Sequence, residues 1–273
     1  MFLEVWKLSD RFNFVKRFFW RSFYDFFSWK YNHIDLPFLN YGYEFIDNSL
    51  INSLKLEKDD FDNRLFIQLY YQAIQTLDLK GKTVLEVGSG RGGGSAFISK
   101  YLEPKKMVGL ELSKYAVNLC QKKFLFPNLE YMQGIAENLP FPDNTFDVVI
   151  NIESSHCYQD MDKFVSEVIR VLKPQGFFSW TDHRHANNIE NLDKQFSLPE
   201  LKLIKHNIIN DNVINAMNQL EQKKQKLLND NAPRLFKKFF AEFSSMKDTR
   251  VYDLFKTKSC LYMSRLYQVV KNN

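Results

Sequence analysis

Cysteine is scarce in this chain. Cys120, Cys157 and Cys260 are the only three among 273 residues, and none stands in a C-x-x-C or Cys/His spacing. That spacing excludes a disulfide framework and a cysteine-based zinc site, and it suits a reducing compartment. Long apolar runs are absent as well. No uncharged stretch reaches the roughly 18 residues that cross a bilayer. No basic segment near the start leads into an apolar one with a small-residue cleavage site, so no signal peptide is expected. Charge of one sign is not in large excess, since 37 Lys and Arg are interspersed with 32 Asp and Glu for a net +5. Such a surface attracts anionic surfaces weakly but lacks the basic stripe that nucleic acid requires. The expected location is cytoplasmic, with peripheral membrane contact left open.

Glycine is also sparse, with 10 in the chain, yet five of them fall between Gly88 and Gly94 in the run VLEVGSGRGGG. Aromatics are the opposite case. The 26 Phe, 13 Tyr and 4 Trp make up 16% of the chain, which points to an apolar pocket or surface beyond ordinary core needs. They crowd the N-terminal stretch RFNFVKRFFWRSFYDFFSWK. On a helix, Phe12, Val15, Phe19, Phe23 and Phe26 share one face, with Arg17, Arg21, Asp25 and Ser28 on another. Packing on the core, closing over an apolar substrate and lying in a membrane interface all fit that pattern. Residues 1–62 are accordingly read as an arm and lid. Residues 63–273 are read as the main domain, with a helical insertion over about 211–256.

The segment NRLFIQLYYQAIQTLDL, residues 63–79, has helical apolar spacing. Strand and helix patterns then alternate: TVLEVG, SAFISKYL, MVGLEL, KYAVNLCQKKF, LEYMQG, FDVVINIE, DKFVSEVIRVL and GFFSWTDH. Parallel neighbours need crossover connections, so the alternation predicts a Rossmann-like α/β fold with helices on both faces of a parallel sheet. Beyond it, LKLIKHNII reads as a sixth strand and residues 211–247 as one or two polar helices broken near Pro233. SCLYMSRLYQVV reads as a final strand, antiparallel at the sheet edge or inserted within it.

A glycine-rich turn leaving a strand and opening a helix lets backbone N–H groups approach a ligand without Cβ interference. Gly88, Gly90 and Gly93 satisfy G-x-G-x-x-G, so a nicotinamide oxidoreductase has to be weighed. Glu86, within the end of the first strand, suits a cationic ligand end better than a pyrophosphate. Glu111, at the end of the second, can accept from both hydroxyls of a ribose, a feature common to both ligand types.

VLEVGSGRGGG, Glu111, AENLPFPDNTFDVVI and VLKPQGFF stand in an order that resembles the class I S-adenosylmethionine-dependent methyltransferases. FLNYGYE, GRGGGS, NIESSHCYQD and LYMSRLYQV extend the resemblance toward lipid O-methyltransferases of the phthiotriol/phenolphthiotriol dimycocerosates type. The resemblance implies S-adenosyl-L-methionine as cofactor. Gly88, Gly90 and Gly92 would lie along its methionine part, Glu86 near its amino end, Glu111 on its ribose and Asn151 beside the transferable methyl. It also implies adenine contact at Ile135 and Ala136. The chain departs from the pattern there, with Gly134-Ile135-Ala136-Glu137 where the family often has Gly-Asp-Ala-Glu. Ile135 can pack on a ring but cannot accept from its amino group, so a degenerate, non-catalytic partner protein stays in view.

A hydroxyl acceptor needs a base, and histidine suits neutral pH. His156, in ESSHCYQD after the fourth strand, is the leading candidate, with Glu153 as its orienter or as an alternative base. Asp182, His183 and His185 form a second set, but His-x-His alone is weak evidence for a metal and none is expected. Cys157 reads as a packed small residue. Tyr41 and Tyr43, which the resemblance suggests close over the cofactor, and His183 are candidates for the substrate side. The expected acceptor is a small hydrophobic or lipid molecule methylated on a hydroxyl, with nitrogen and carbon acceptors as alternatives.

Overall fold

The computed structural model describes residues 13–32, 35–45, 55–234 and 237–271. Its first described helix, α1 (Asn13–Lys30), is followed by residues 35–45, which form neither helix nor strand, and a helical turn Lys58–Phe61 precedes α2 (Arg64–Ile74). The alternating part follows as β1 (Thr83–Val87), α3 (Gly93–Tyr101), β2 (Lys106–Glu111), α4 (Lys114–Lys123) and β3 (Leu129–Gln133). It continues with β4 (Phe146–Ile152), α5 (Met161–Val171), β5 (Leu172–His185), α6 (Ile189–Phe196) and β6 (Leu201–Ile208). The chain then forms α7 (Asn210–Asn231), α8 (Lys237–Phe243), α9 (Arg250–Lys256) and β7 (Cys260–Val269).

The strands make one seven-stranded sheet in the order β3-β2-β1-β4-β5-β7-β6. β1 to β5 pair in parallel, whereas β7 runs antiparallel between β5 and β6. The final strand is thus inserted within the sheet. Because successive side chains point to opposite faces, each central strand feeds two cores. Val84, Val148 and Ile150 pack on one face and Leu85, Val87 and Val149 on the other.

Helix limits follow local chemistry. Ser113 caps α4 by accepting from the Ala116 N–H at 3.1 Å, and Asp160 caps α5 by accepting from Lys163 at 2.9 Å. On α5, Phe164, Val165, Val168 and Val171 form the fully buried stripe of an amphipathic helix. Phe164→Ala would cost about 3–5 kcal/mol of stability. No helix among the described residues is long and apolar enough to cross a membrane.

The N-terminal helix differs from its expected face. Trp20, Phe27 and Ser28 are buried, Phe23 is half-buried, and Phe26 is 54% exposed. Phe12 lies outside the described residues, as do the side chains of Val15, Arg17 and Phe19. The helix packs on two partners at once, which a single-face reading misses. Asp25 accepts a hydrogen bond from the Ser113 hydroxyl at 2.6 Å, while Phe23 and Phe27 meet Phe243 of α8 at ring distances of 5.3 and 6.2 Å.

Candidate active site

The strand order turns back between β1 and β4, and open α/β sheets bind ligands outside the carboxyl ends of their strands at such a point. A cavity lies there. Gly88, Gly90, Glu111, Ile135, Ala136, Glu153, His156 and Tyr41 line it. Gly88 and Gly90 hold φ of +80° and +53°, in the left-handed region that favours glycine. A Cβ on Gly88 would fall 2.2 Å from the Ser154 hydroxyl, whereas one on Gly90 would meet only Leu39 at 3.8 Å. Gly88 is therefore needed for the turn itself.

Glu111 holds this loop. Its Oε2 accepts from the Gly90 N–H at 3.0 Å and its Oε1 from the Ser113 N–H at 2.9 Å. Burial raises the carboxyl above its ordinary pKa, and these backbone bonds work against the rise. A carboxylate accepts about four hydrogen bonds, so both oxygens keep capacity for a pair of ligand hydroxyls. The Ser89 hydroxyl, also in the cavity wall, is buried with no hydrogen-bond partner among the described residues. An unpartnered buried hydroxyl and a two-oxygen acceptor beside a cleared backbone fit a polar ribose-bearing ligand such as S-adenosylmethionine. Ile135 and Ala136 supply apolar wall. Oε1 of Glu137, a residue that could have replaced the missing carboxylate, accepts from the Gln159 N–H at 2.8 Å.

Five expected residues lie outside the cavity lining. Glu86 is fully buried, accepting from Tyr70 Oη at 2.6 Å and from the Ser95 hydroxyl. Burial pushes its pKa to about 7 against those two bonds. It links α2, β1 and α3, and the ring of Tyr70 lines the cavity in its place. Gly92 ends the turn, its carbonyl accepting from Tyr131 Oη at 2.6 Å. Asn151 is fully buried, with Nδ2 2.9 Å from the Val87 carbonyl and 2.8 Å from the Ser154 hydroxyl, and Ser154 faces the cavity instead. Tyr43 packs in the core against Phe45 at a ring distance of 4.9 Å. His183 lies behind His156, ring centroids 4.5 Å apart. Burial and the neighbouring His156 push the His183 pKa down to about 3.

The acceptor side centres on His156. Its Nδ1 lies 2.8 Å from Asp182 Oδ1, and its backbone N–H donates to Oδ2 at 3.0 Å. Arg184 Nη1 stands 3.2 Å from Oδ2, and the Ser155 hydroxyl donates there at 2.7 Å. Burial alone would lower the pKa of His156, but Cys157 and Asp182 outweigh it and push it to about 10. Burial alone would raise Asp182, yet His156 and Arg184 hold it well below the usual carboxylate range. Asp182, rather than Glu153, is thus the carboxylate bonded to the His156 ring. Potential ligand atoms of His156, Asp182 and His183 lie within 4.8 Å of one another. Arg184 already supplies a cation at Asp182.

Glu153 takes a different part. It sits at φ +45°, a left-handed conformation that is strained for a side-chain-bearing residue. Its Oε1 accepts from the Tyr41 N–H at 2.8 Å and from the Tyr262 hydroxyl. Burial pushes it to about 7, countered by those two donors. The segment Pro37–Tyr41 is thereby tied to the end of β4. α1 completes the cleft: Trp20 and Tyr24 line it, and Trp20 meets the His156 ring edge-on at 6.5 Å. Neither was singled out from sequence, nor was Lys224 of α7. Asp182 was named there, but with its neighbouring histidines rather than with His156.

Residues 85–180 match the model of a family described as a methyltransferase domain. The chain is 34% identical over 253 residues to a phthiotriol/phenolphthiotriol dimycocerosates methyltransferase of Mycobacterium leprae, covering 93% of this chain and 92% of that protein. It is 35% identical over 237 residues to a fatty-acid O-methyltransferase of Mycolicibacterium smegmatis, covering 87% and 84% respectively. The fold is similar to that of a geranyl diphosphate C-methyltransferase from Streptomyces coelicolor, crystallised with S-adenosyl-L-homocysteine. That match has a TM-score of 0.64 at 13% identity over 93% of this chain and 98% of that one. With the strand order and the glycine loop, near-full-length identity of this degree sets the nicotinamide and non-catalytic readings aside: the chain belongs to the class I S-adenosylmethionine-dependent methyltransferases, in the family that includes the phthiotriol/phenolphthiotriol dimycocerosates enzymes.

Proposed function

We propose that this methyltransferase uses S-adenosyl-L-methionine to methylate a hydroxyl of a small hydrophobic or lipid acceptor. Gly88 and Gly90 would give backbone access to the cofactor, and Glu111 would bind its ribose through the lone pairs left by Gly90 and Ser113. Ile135 and Ala136 would pack on its adenine. When bound, the cofactor supplies an electrophilic methyl on a sulfonium. The protein's own work is alignment, exclusion of water and handling of the acceptor's proton.

The observation that carries the reading is His156 in the cavity wall, held from behind by the buried Asp182 with 2.8 Å between Nδ1 and Oδ1. Asp182 would fix the imidazole so that Nε2 is the nitrogen able to take the acceptor's proton, and would stabilise the cation formed. Trp20, Tyr24 and Tyr41 would shield the reacting atoms from water. Methylation of lipid-like acceptors by the two mycobacterial relatives supports the acceptor class.

A second reading is favoured by the raised pKa of His156, about 10. An imidazolium at neutral pH would pair with a carboxylate acceptor, which needs no base and would give a methyl ester. The two readings differ in product and in pH dependence. Purified protein, a lipid extract and S-adenosylmethionine labelled in its methyl group should yield labelled lipid that survives saponification if an ether forms. Label released by alkali would mean an ester, and label on nitrogen or carbon would overturn both.

A further inference from the structure

A second cavity adjoins the first. The segment Phe38–Tyr41, Arg91 and Phe243 line both. Beyond that shared wall the lining is mainly apolar: Phe27 of α1 and Tyr31 just after it, Leu227 and Leu228 of α7, and Phe240 of α8, with Lys224, Asn231 and Ser244 as the polar members. The rings pack edge-on or tilted, Tyr31 against Phe240 at 5.7 Å and Phe27 against Phe240 at 6.4 Å. α1 and the distant, consecutive helices α7 and α8 thus line a largely apolar space beside the methyl-transfer cleft. Such a lining gains dispersion contacts and sheds water when a hydrocarbon chain lies against it.

A cation stands beside the shared wall, next to Tyr41. Lys224 of α7 lines the second cavity, donates from Nζ to the Ser244 carbonyl at 2.8 Å and stands 5.8 Å from the centre of the Tyr41 ring. Burial lowers its pKa to about 8, with Glu153 and Glu221 opposing the change. An ammonium has three donors, and the Ser244 carbonyl takes one. A wholly apolar guest would not use it. A chain with an oxygen-bearing head would, because the head would sit at Lys224 with its reacting oxygen toward His156 and the chain running on between α1, α7 and α8.

We propose that the second cavity takes the hydrocarbon chain of the acceptor, with Lys224 holding its oxygenated head at the junction. The inference rests on the methyltransferase reading for its direction but is tested by equilibrium binding, without turnover. Straight-chain alcohols from hexanol to hexadecanol would displace N-phenylnaphthylamine from the wild-type protein saturated with S-adenosylhomocysteine. Affinity is expected to rise about threefold to fourfold per added methylene until the cavity is full. Leu228→Trp should stop the rise at a shorter chain and weaken hexadecanol at least about tenfold while leaving hexanol unchanged. Phe240→Ala, which opens the wall, should extend the rise to longer chains. Lys224→Met should weaken dodecanoate more than dodecanol.

S-adenosylhomocysteine binding, read by calorimetry on the same proteins, reports separately on the cofactor site and on folding. A wild-type series without chain-length dependence, or identical series in wild type and both wall variants with that binding intact, would overturn the channel. Equal losses of dodecanoate and dodecanol in Lys224→Met would overturn the placement of the head.

Discussion

The two sides of the cleft are built by different means. On the side of β1 and β2, position is set by backbone: glycines at positive φ, Glu111 holding two main-chain N–H groups, and Gly92 joined through its carbonyl to Tyr131. On the side of α1 and α8, position is set by ring against ring. Hydrogen bonds to a carboxylate fix one geometry, whereas aromatic packing tolerates shape changes in its guest. The contrast suits a reaction in which one partner is always the same molecule and the other varies by chain.

That contrast can be broken most sharply at His156, which faces the acceptor. His156→Gln should lower kcat about a hundredfold to ten-thousandfold and leave S-adenosylhomocysteine affinity unchanged in a calorimetric titration. Glu111→Ala should do the reverse, weakening S-adenosylhomocysteine by about a hundredfold or more through loss of charge-assisted bonds, in the same titration. If either variant moved both quantities equally, the two sides would not be separable.

Smaller effects sharpen the comparison. With a hydroxyl acceptor, kcat/KM should climb from pH 7 toward the His156 value of about 10, because only the neutral imidazole takes a proton. A carboxylate acceptor should give the opposite slope. Asp182→Asn removes a cause of the raised value, so the rising limb should move to lower pH, with kcat down about tenfold. The smallest change belongs to Tyr41→Phe. Its hydroxyl reaches the Phe243 carbonyl only at 3.4 Å, so turnover should stay within about twofold.

Glu86 tests the rigid side through stability. Its folded pKa of about 7 lies above its ordinary value of 4.5. The folded state therefore binds its proton more tightly, and its stabilising contribution is complete below pH 4.5 and lost as pH rises through 7. Glu86→Gln removes that dependence. The Tm of the variant relative to wild type should rise between pH 5 and pH 8 in paired thermal melts. A difference that is flat across this range would remove the buried, protonating Glu86 from the account.

Legibility in the sequence followed the same division. The parallel strands, the glycine turn and Glu111 were readable because each depends on residues close in the chain, and short spacings encode backbone geometry. Glu86 was misplaced because the pattern shows a carboxylate near the turn but not the Tyr70 and Ser95 hydroxyls that enclose it. The pairing of His156 with Asp182 joins residues 26 apart, on the loop after β4 and on the neighbouring β5. Only the register of β4 against β5 brings them together. The α1 face was misread because two partners, α4 and α8, share one helix. Lys224 gave no signal: in QKKQK it looks like any solvated lysine, and only the fold brings the Tyr41 ring and the Ser244 carbonyl to its ammonium.

The most direct test of the central claim is methyl transfer by His156→Gln beside wild type, with labelled S-adenosylmethionine, a long-chain alcohol acceptor and S-adenosylhomocysteine affinity measured on both proteins. The account predicts an alkali-stable labelled ether from wild type, a loss of at least about a hundredfold in the variant, and equal affinity for S-adenosylhomocysteine. Equal rates of ether formation in the two proteins would contradict it.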